Sequence, residues 1–420
     1  MTIIDTIAVK LNSKKSTIDD FFTQQFYQNP ALFYNSIDLR HSSYKICAID
    51  TNCYPAGFNN LSESGQKDAQ RLVNDFFAQN SIVTNSTKIQ NIFIIPENHN
   101  RNARYLENLA MIFQILQQQK NFRIFIATYN PEIQNATTLD LENHASITLF
   151  PLQKISGKLA ITNSDNQNIF ADFAILNNDL TNGVPEILNN ISTPINPPIE
   201  MGWFQRNKSH HFTIYNQIAE QIASILGIDP WLISSMHERC DDINFKENIG
   251  LECLEKNVDN LLKKIAEKYR QHSIKEQPYC YIKADNGTYG MAVWAVSSAQ
   301  DVVEINKKER NKMNMLKGAT QTHKVMVQEG IVTHDKISGN PCEPMIYMIN
   351  GEVAQYLFRC NQQRDNHISL NASGASFFNI DKLPADNNII DTNKNFIPTY
   401  QLIAKMASLA SAIEYQKIKQ

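Results

Sequence analysis

The spacing of apolar residues changes repeatedly along this chain. Up to about residue 150, short runs rich in β-branched and aromatic residues alternate with longer segments whose apolar residues recur every three or four positions. The short runs are Tyr44–Ile49, Ile92–Ile95, Arg123–Ala127 and Ser146–Leu149; the longer segments include Gln66–Ala78 and Asn102–Gln119. The first pattern predicts strands and the second predicts helices. Their alternation favours an α/β layer with a mostly parallel sheet, in which ligands sit beyond the C-terminal strand ends. The polar loops Asp50–Asn60 and Pro96–Asn102 follow the first two runs and occupy such ends.

The next stretch reaches about residue 275. Pro194, Pro197 and Pro198 mark a rigid link, and a helix is expected from about His210 to Leu226, stopped by Gly227-Ile228-Asp229-Pro230. A charged amphipathic helix is expected near Leu251–Arg270 and a final helix over Tyr400–Glu414. Between them, Glu343–Ile349 and Glu352–Arg359 flank Asn350-Gly351, a hairpin signal.

At 420 residues the chain is long enough for two or three subdomains. A net charge of −3 creates no field that would gather nucleic acid or an anionic membrane, so anionic ligands need local sites. No run of 18 apolar residues exists and the first residues lack a secretory pattern. Seven scattered cysteines read as reduced thiols, which makes the cytoplasm the expected location.

The segment Tyr281–Trp294 carries the most chemistry. A β-rich run ends in Lys283, a loop holds Gly287 and Gly290, and a second β-rich run returns. Glycine lets backbone approach an anion closely, successive N–H groups make an anion nest, and lysine adds a point charge. With only 14 glycines in the chain, two so close together point to phosphate; a bulged hairpin with a surface lysine is the plainer alternative. Lys283 is placed at this hairpin tip, where its removal should cost turnover more than folding. Val325–Ile331 reads as a strand whose edge, with Gln328, Glu329 and Ile331, could meet adenine; an inner strand ending in glutamate is the alternative. The Asn350-Gly351 hairpin brings Glu343 beside Arg359. A carboxylate for Mg²⁺ next to an arginine suits phosphoryl transfer, and a structural salt bridge would place the same two residues together.

Taken in order, Lys208, Lys283 with Gly287 and Gly290, Gln328-Glu329-Gly330, Glu343, Arg359, and Asn371 with Ser373-Gly374 resemble the ATP-grasp ligases. More closely, the chain resembles the proteobacterial glutamate–cysteine ligase family of ATP-grasp type. Ile49–Asn52, Pro55–Leu61, Pro96–His99, Tyr105–Leu109, Lys208–Phe212, Gly227–Trp231, Lys283–Met291, Arg310–Met313 and Val327–Gly330 carry the resemblance, which spans about residues 30–415.

The resemblance implies an N-terminal α/β domain over 1–150, a central linker or subdomain over 151–235, a lid over 236–325 and a core over 326–420. It implies ATP-dependent joining of the γ-carboxylate of glutamate to the amino group of cysteine, the first step of glutathione biosynthesis, with Mg²⁺. Lys208 and Lys283 would grip phosphates under Asn286, Gly287, Thr288, Tyr289, Gly290 and Met291. Gln328, Glu329 and Ile331 would line adenine. Glu343 and Asn371 would hold Mg²⁺, and Arg359 would face the transferred phosphoryl group. Asn52, Asn59, Asn60, His99, Arg101 and Arg206 would hold the amino acids, with an arginine bidentate on an α-carboxylate. Cys53 and Trp203 read as packing residues. The familiar final strand with an acidic residue and an Asn is missing, so further metal ligands are sought at Glu414 or Asp285. Another carboxylate–amine ligase, or a non-catalytic nucleotide-binding protein, are the alternative functions. Only small-molecule partners are expected, with self-association into a homo-oligomer compatible.

Overall fold

The computed structural model describes residues 3–83, 89–98, 102–119, 121–142, 144–286, 292–314, 322–389 and 396–419. Helices α1 (Ile3–Ser13) and α2 (Lys15–Gln28) open the chain. They lead into an antiparallel hairpin of β1 (Tyr34–His41) and β2 (Ile46–Asn52). The run expected over Tyr44–Ile49 is therefore displaced, and it does not join the parallel sheet. Residues Ile37 and Leu39 alternate with the charged Asp38 and Arg40, so β1 presents one apolar and one ionic face. The apolar face joins a core cluster with Ile46, Ala48 and residues of the chain's last helix.

The parallel layer follows. After α3 (Glu63–Val83) come β3 (Asn91–Pro96), α4 (Ala103–Gln117) and β4 (Arg123–Thr128). The short β5 (Thr137–Leu139) lies antiparallel at the edge of β6 (Ile147–Pro151). A three-stranded antiparallel excursion, β7 (Gln153–Ile155), β8 (Lys158–Thr162) and β9 (Asn168–Phe170), precedes β10 (Phe173–Asn177) and β11 (Ile195–Asn196). The sheet order β11-β10-β3-β4-β6-β5 is parallel except for β5, as the alternating periodicity predicts.

Helix α5 (Lys208–Leu226) ends where Gly227 adopts φ 63°, a left-handed cap that its lack of a Cβ allows. A second antiparallel sheet then forms in the order β12-β15-β13-β14, from β12 (His237–Cys240), β13 (Cys280–Ala284), β14 (Val293–Val296) and β15 (Val325–Glu329). The amphipathic α6 (Leu251–Gln271) packs Leu254, Val258, Leu261 and Ile265 against it, and α7 (Gln300–Val303) and α8 (Lys307–Asn314) lie between β14 and β15.

Strands β16 (Lys336–Ile337), β17 (Asn340–Ile349), β18 (Glu352–Asn361) and β19 (Ala375–Asn379) complete the sheet β19-β18-β17-β1-β2, with β16 paired to β17. Asn350 and Gly351, at φ 54° and 75°, make the primed turn that the sequence predicts between β17 and β18. Helix α9 (Phe396–Ile418) is apolar around most of its circumference because α1, α2, α5 and the β1–β2 hairpin surround it.

The α/β class expected from the sequence is observed. The divisions at residues 150, 235 and 325 do not separate the sheets, because β1 from the first stretch pairs with β17 from the last. No described helix is long and apolar enough to cross a membrane.

Candidate active site

A cavity lies between the β17–β18–β1 sheet and the β12–β15 sheet. Its lining includes Asp38, Arg40, Asp50, Lys208, Lys283, Glu343, Arg359 and Asn371. Its floor follows from strand register, which a bulge at Tyr347/Met348 shifts by one between β17 and β18. Glu343 and Arg359 are direct partners across β17 and β18, and the ionic face of β1 lies on the other side of β17. Arg359 Nη1 donates to Glu343 Oε1 at 2.8 Å and to Asp38 Oδ2 at 2.7 Å. Its Nη2 donates to Asp38 Oδ1 at 3.2 Å, while Nε is buried without a hydrogen-bond partner. Burial pushes the Asp38 carboxyl above its ordinary range, against the pull of Arg359.

Arg40 ties this floor to its surroundings. Its Nε donates to Glu343 Oε2 at 3.1 Å. Its two terminal nitrogens reach the Tyr281 hydroxyl and the carbonyls of Ile331 and Ile368, at 2.8, 3.0 and 2.6 Å. The guanidinium thus joins β1, β13, β15's exit and the segment that leads to Asn371.

The opposite wall carries the lysines. Asp285 follows β13 and receives the first N–H groups of α5: its carbonyl accepts from Lys208 N and its Oδ1 from Ser209 N, both at 2.7 Å. A carboxylate at a helix start satisfies N–H groups that lack an intrahelical partner. This joint fixes Lys208 beside Lys283. Lys208 Nζ pairs with Asp50 and lies 4.4 Å from the Trp203 ring centre. Lys283 Nζ donates to Gln328 Oε1 at 2.7 Å and to Ile49 O at 3.1 Å. Burial lowers its pKa to about 8, with Asp50 opposing that shift and Lys208 reinforcing it. Asp50 titrates below its ordinary value, because Lys208 and Lys283 together outweigh burial.

The structure therefore brings Lys208, Lys283, Glu343, Arg359 and Asn371 to one cavity and corrects several other expectations. Lys283 is a buried strand residue and not a hairpin tip. Strand β15 is internal, paired with β12 and β13, so it offers no free edge to adenine. Glu329 is spent on Lys45 at 2.7 Å and on the Trp231 indole at 2.9 Å. Gln328 binds Lys283 and Ser235, and Ile331 gives its carbonyl to Arg40.

Arg206 is also unavailable to a substrate. It makes a buried bidentate pair with Glu414 at 3.0 and 2.9 Å and donates to Thr51 O. Neither alternative metal ligand is free: Glu414 belongs to that pair and to His211, and Asp285 to the start of α5. A strand does follow Gly374, namely β19, but it carries no acidic residue.

Asn52 bonds Tyr54, Asn60 approaches the Tyr347 hydroxyl at 3.4 Å, and Asn59 is half-buried in the turn beside it. None of the three lines the cavity of the lysines. Asn286 is half-buried just after β13. Gly287, Thr288, Tyr289, Gly290, Met291, His99 and Arg101 lie outside the described residues. Cys53 and Trp203 are buried, as packing residues should be.

Asp38 and Arg40 escaped the sequence reading. Their signal was the alternation of Ile37 and Leu39 with Asp38 and Arg40, a charged pair at period two. Among the described residues no cluster of three or more His, Cys, Asp or Glu could hold a metal ion. The donor set still suits Mg²⁺, a hard cation usually held by one or two carboxylates together with waters and substrate phosphates. Glu343 and the amide side chain of Asn371 line this cavity and are of that type; unlike Glu414 and Asp285, Glu343 faces the cavity, and its two oxygens are held by Arg40 and Arg359.

The chain matches the family model described as glutamate-cysteine ligase over residues 9–415. It is similar to a crystal structure provisionally assigned as a gamma-glutamylcysteine synthetase from Methylobacillus flagellatus KT. The two are 31% identical, the match covers 98% of this chain and 96% of that chain, and the TM-score is 0.86. More distant matches are a glutathione synthetase-like effector from Globodera pallida and D-alanyl-alanine synthetase A from Vibrio cholerae. The first is 8% identical over 90% of this chain and 84% of that one, at a TM-score of 0.41. The second is 11% identical over 76% and 82%, at 0.36. Among curated proteins, none matches the chain. The family match over nearly the whole length, and the close similarity of fold, establish that this chain belongs to the glutamate–cysteine ligase family.

Proposed function

We propose that the chain joins the γ-carboxylate of L-glutamate to the amino group of L-cysteine in the ATP-grasp manner, giving γ-glutamylcysteine, ADP and phosphate. The observation that supports this reading is the convergence of Lys208, Lys283, Glu343 and Arg359 on one cavity from four separate elements.

A free carboxylate resists amine attack because oxide is a very poor leaving group. Transfer of the γ-phosphoryl group of ATP makes an acyl phosphate. The cysteine nitrogen then adds to the acyl carbon, and the tetrahedral intermediate expels phosphate. No protein nucleophile is needed, which suits a site of lysines, arginines and carboxylates. Cys53 is buried and its thiol is raised by burial, the opposite of an activated nucleophile.

Lys208 and Lys283 bind and orient the phosphates. Arg359 offsets negative charge as the phosphoryl group transfers and the tetrahedral centre forms. Glu343 and Asn371 would hold Mg²⁺, which when bound neutralises phosphate charge. Asn52, Asn59, Asn60, His99 and Arg101 remain the candidates for holding the amino acids; Arg206 does not. The cytoplasm, where ATP and reduced cysteine coexist, is the proposed location.

The test is phosphate release by purified protein with ATP, Mg²⁺ and glutamate, with and without cysteine, with the product identified by mass spectrometry. Cysteine-dependent release with a γ-linked dipeptide is expected. Release with a different amine alone would point to another carboxylate–amine ligase, and no release under any condition would leave a nucleotide-binding protein.

A further inference from the structure

With Glu414 and Asp285 spent elsewhere, the cavity has a carboxylate that the sequence reading did not assign. Asp38 and Glu343 stand on neighbouring antiparallel strands and accept from the same nitrogen, Arg359 Nη1, at 2.7 and 2.8 Å. Their oxygens are therefore within about twice a hydrogen-bond length of each other. The two carboxylates differ in their support. Glu343 also receives Arg40, whereas the ion pair of Asp38 is with Arg359. Arg359 itself is incompletely satisfied, since its buried Nε has no partner.

We infer that Asp38 is the second carboxylate of the Mg²⁺ site, paired with Glu343, and that Arg359, together with Arg40 on Glu343, balances the two until the cation and nucleotide bind. This rests on the ligase reading above. If Arg359 serves the transferring phosphoryl group, it cannot remain fully committed to both carboxylates. Glu343 would keep Arg40, but the buried Asp38 carboxylate beside it would lose its ion-pair partner and be strongly destabilised. A divalent cation takes over the charge that Arg359 now supplies and frees the guanidinium. Asp38 and Glu343 then satisfy the usual count of one or two protein carboxylates for Mg²⁺, and the remaining positions fall to waters and phosphate oxygens. The acidic residue that ATP-grasp enzymes place late in the chain is supplied here from β1, close to its beginning.

The experiment is Mn²⁺ binding followed by electron paramagnetic resonance, with Mn²⁺ as the probe in place of Mg²⁺. It uses full-length wild type and Asp38→Asn, each saturated with a non-hydrolysable ATP analogue. The inference requires the Mn²⁺ dissociation constant to rise at least fivefold in Asp38→Asn, with unchanged near-ultraviolet circular dichroism. A smaller rise in the folded variant overturns it while leaving the ligase reading intact. Absence of Mn²⁺ binding by the wild type with the analogue overturns both. Should Asp38→Asn fail to fold, Arg359→Met is compared with Arg359→Met plus Asp38→Asn, in which the unpaired carboxylate is gone: without nucleotide the single variant must bind Mn²⁺ at least threefold more tightly than the double variant. Equal or weaker binding overturns the inference.

Discussion

Replacing Lys283 by methionine tests the physical account of the phosphate-facing wall without depending on turnover. Lys283 has an ordinary pKa near 10.5, lowered to about 8 in the fold, chiefly by burial. The unfolded chain therefore binds this proton more tightly than the folded one, and stability must rise with pH between these two values. At pH 7 both states are protonated, and the shift corresponds to a cost of about 3 kcal/mol. At pH 9.5 the folded lysine is largely neutral, and the remaining cost is about 1.4 kcal/mol.

Methionine keeps the aliphatic stem and removes the charge, so it relieves that cost at every pH. It also strands the Gln328 and Ile49 oxygens that Lys283 now satisfies, a penalty of about 1–3 kcal/mol for each that stays dry. That penalty does not vary with pH, so the informative quantity is the trend. Denaturant titrations of both proteins without nucleotide at pH 7 and 9.5 should show the stability difference, variant minus wild type, falling by about 2 kcal/mol. The variant should also lose ATP turnover by on the order of 10²-fold or more. A stability difference that is the same at both pH values would refute a buried, shifted lysine.

Arg359→Lys retains a positive charge beside Asp38 and Glu343 but loses the planar fork, so phosphate-release assays should show kcat falling about 10²–10³-fold with the fold preserved. Arg206→Ala leaves Glu414 buried without its bidentate partner and should cost about 3–5 kcal/mol by denaturant unfolding, largely recovered in Arg206→Met with Glu414→Leu. Although burial opposes it, Arg206 and His211 hold Glu414 at about 2, so the stability this carboxylate contributes is present above about pH 4.5 and is lost as pH falls through 2. The double variant should show a weaker acid dependence in the same titration. Gly57→Ala forces a side chain into φ 76° and against the Tyr347 hydroxyl, and should lower the melting temperature and raise the KM for an amino-acid substrate.

Periodicity was enough to place most of the fold. The expected helices near Gln66–Ala78, Asn102–Gln119, His210–Leu226 and Leu251–Arg270 all form, with ends shifted by a few residues. Local turn chemistry at Asn350-Gly351 announced the β17–β18 hairpin, but an unbroken two-residue hairpin would pair Glu343 with Phe358; a bulge at Tyr347/Met348 shifts the register by one and sets Glu343 opposite Arg359. What could not be read was long-range pairing. Nothing local tells β1 that its neighbour is β17, so nothing local singled out Asp38 and Arg40. The same blindness misassigned Arg206 and Glu329: each has the right chemistry for a ligand, but the partners that consume them, Glu414 and Lys45, lie far off in sequence. Whether a strand is internal or at an edge is likewise decided by its neighbours, which is why β15 looked open.

The pairing of β1 with β17 also bears on how the protein is made. Arg40 and Glu343 are 303 residues apart, so at ribosomal speeds of roughly 5–20 residues per second the emerging hairpin waits about 15–60 s for its neighbour. During that interval Ile37 and Leu39 have neither their sheet nor the last helix to cover them. A nascent chain of this kind must be shielded by chaperones or tolerate delay. Deleting the last helix should then yield insoluble protein and not a weakened enzyme.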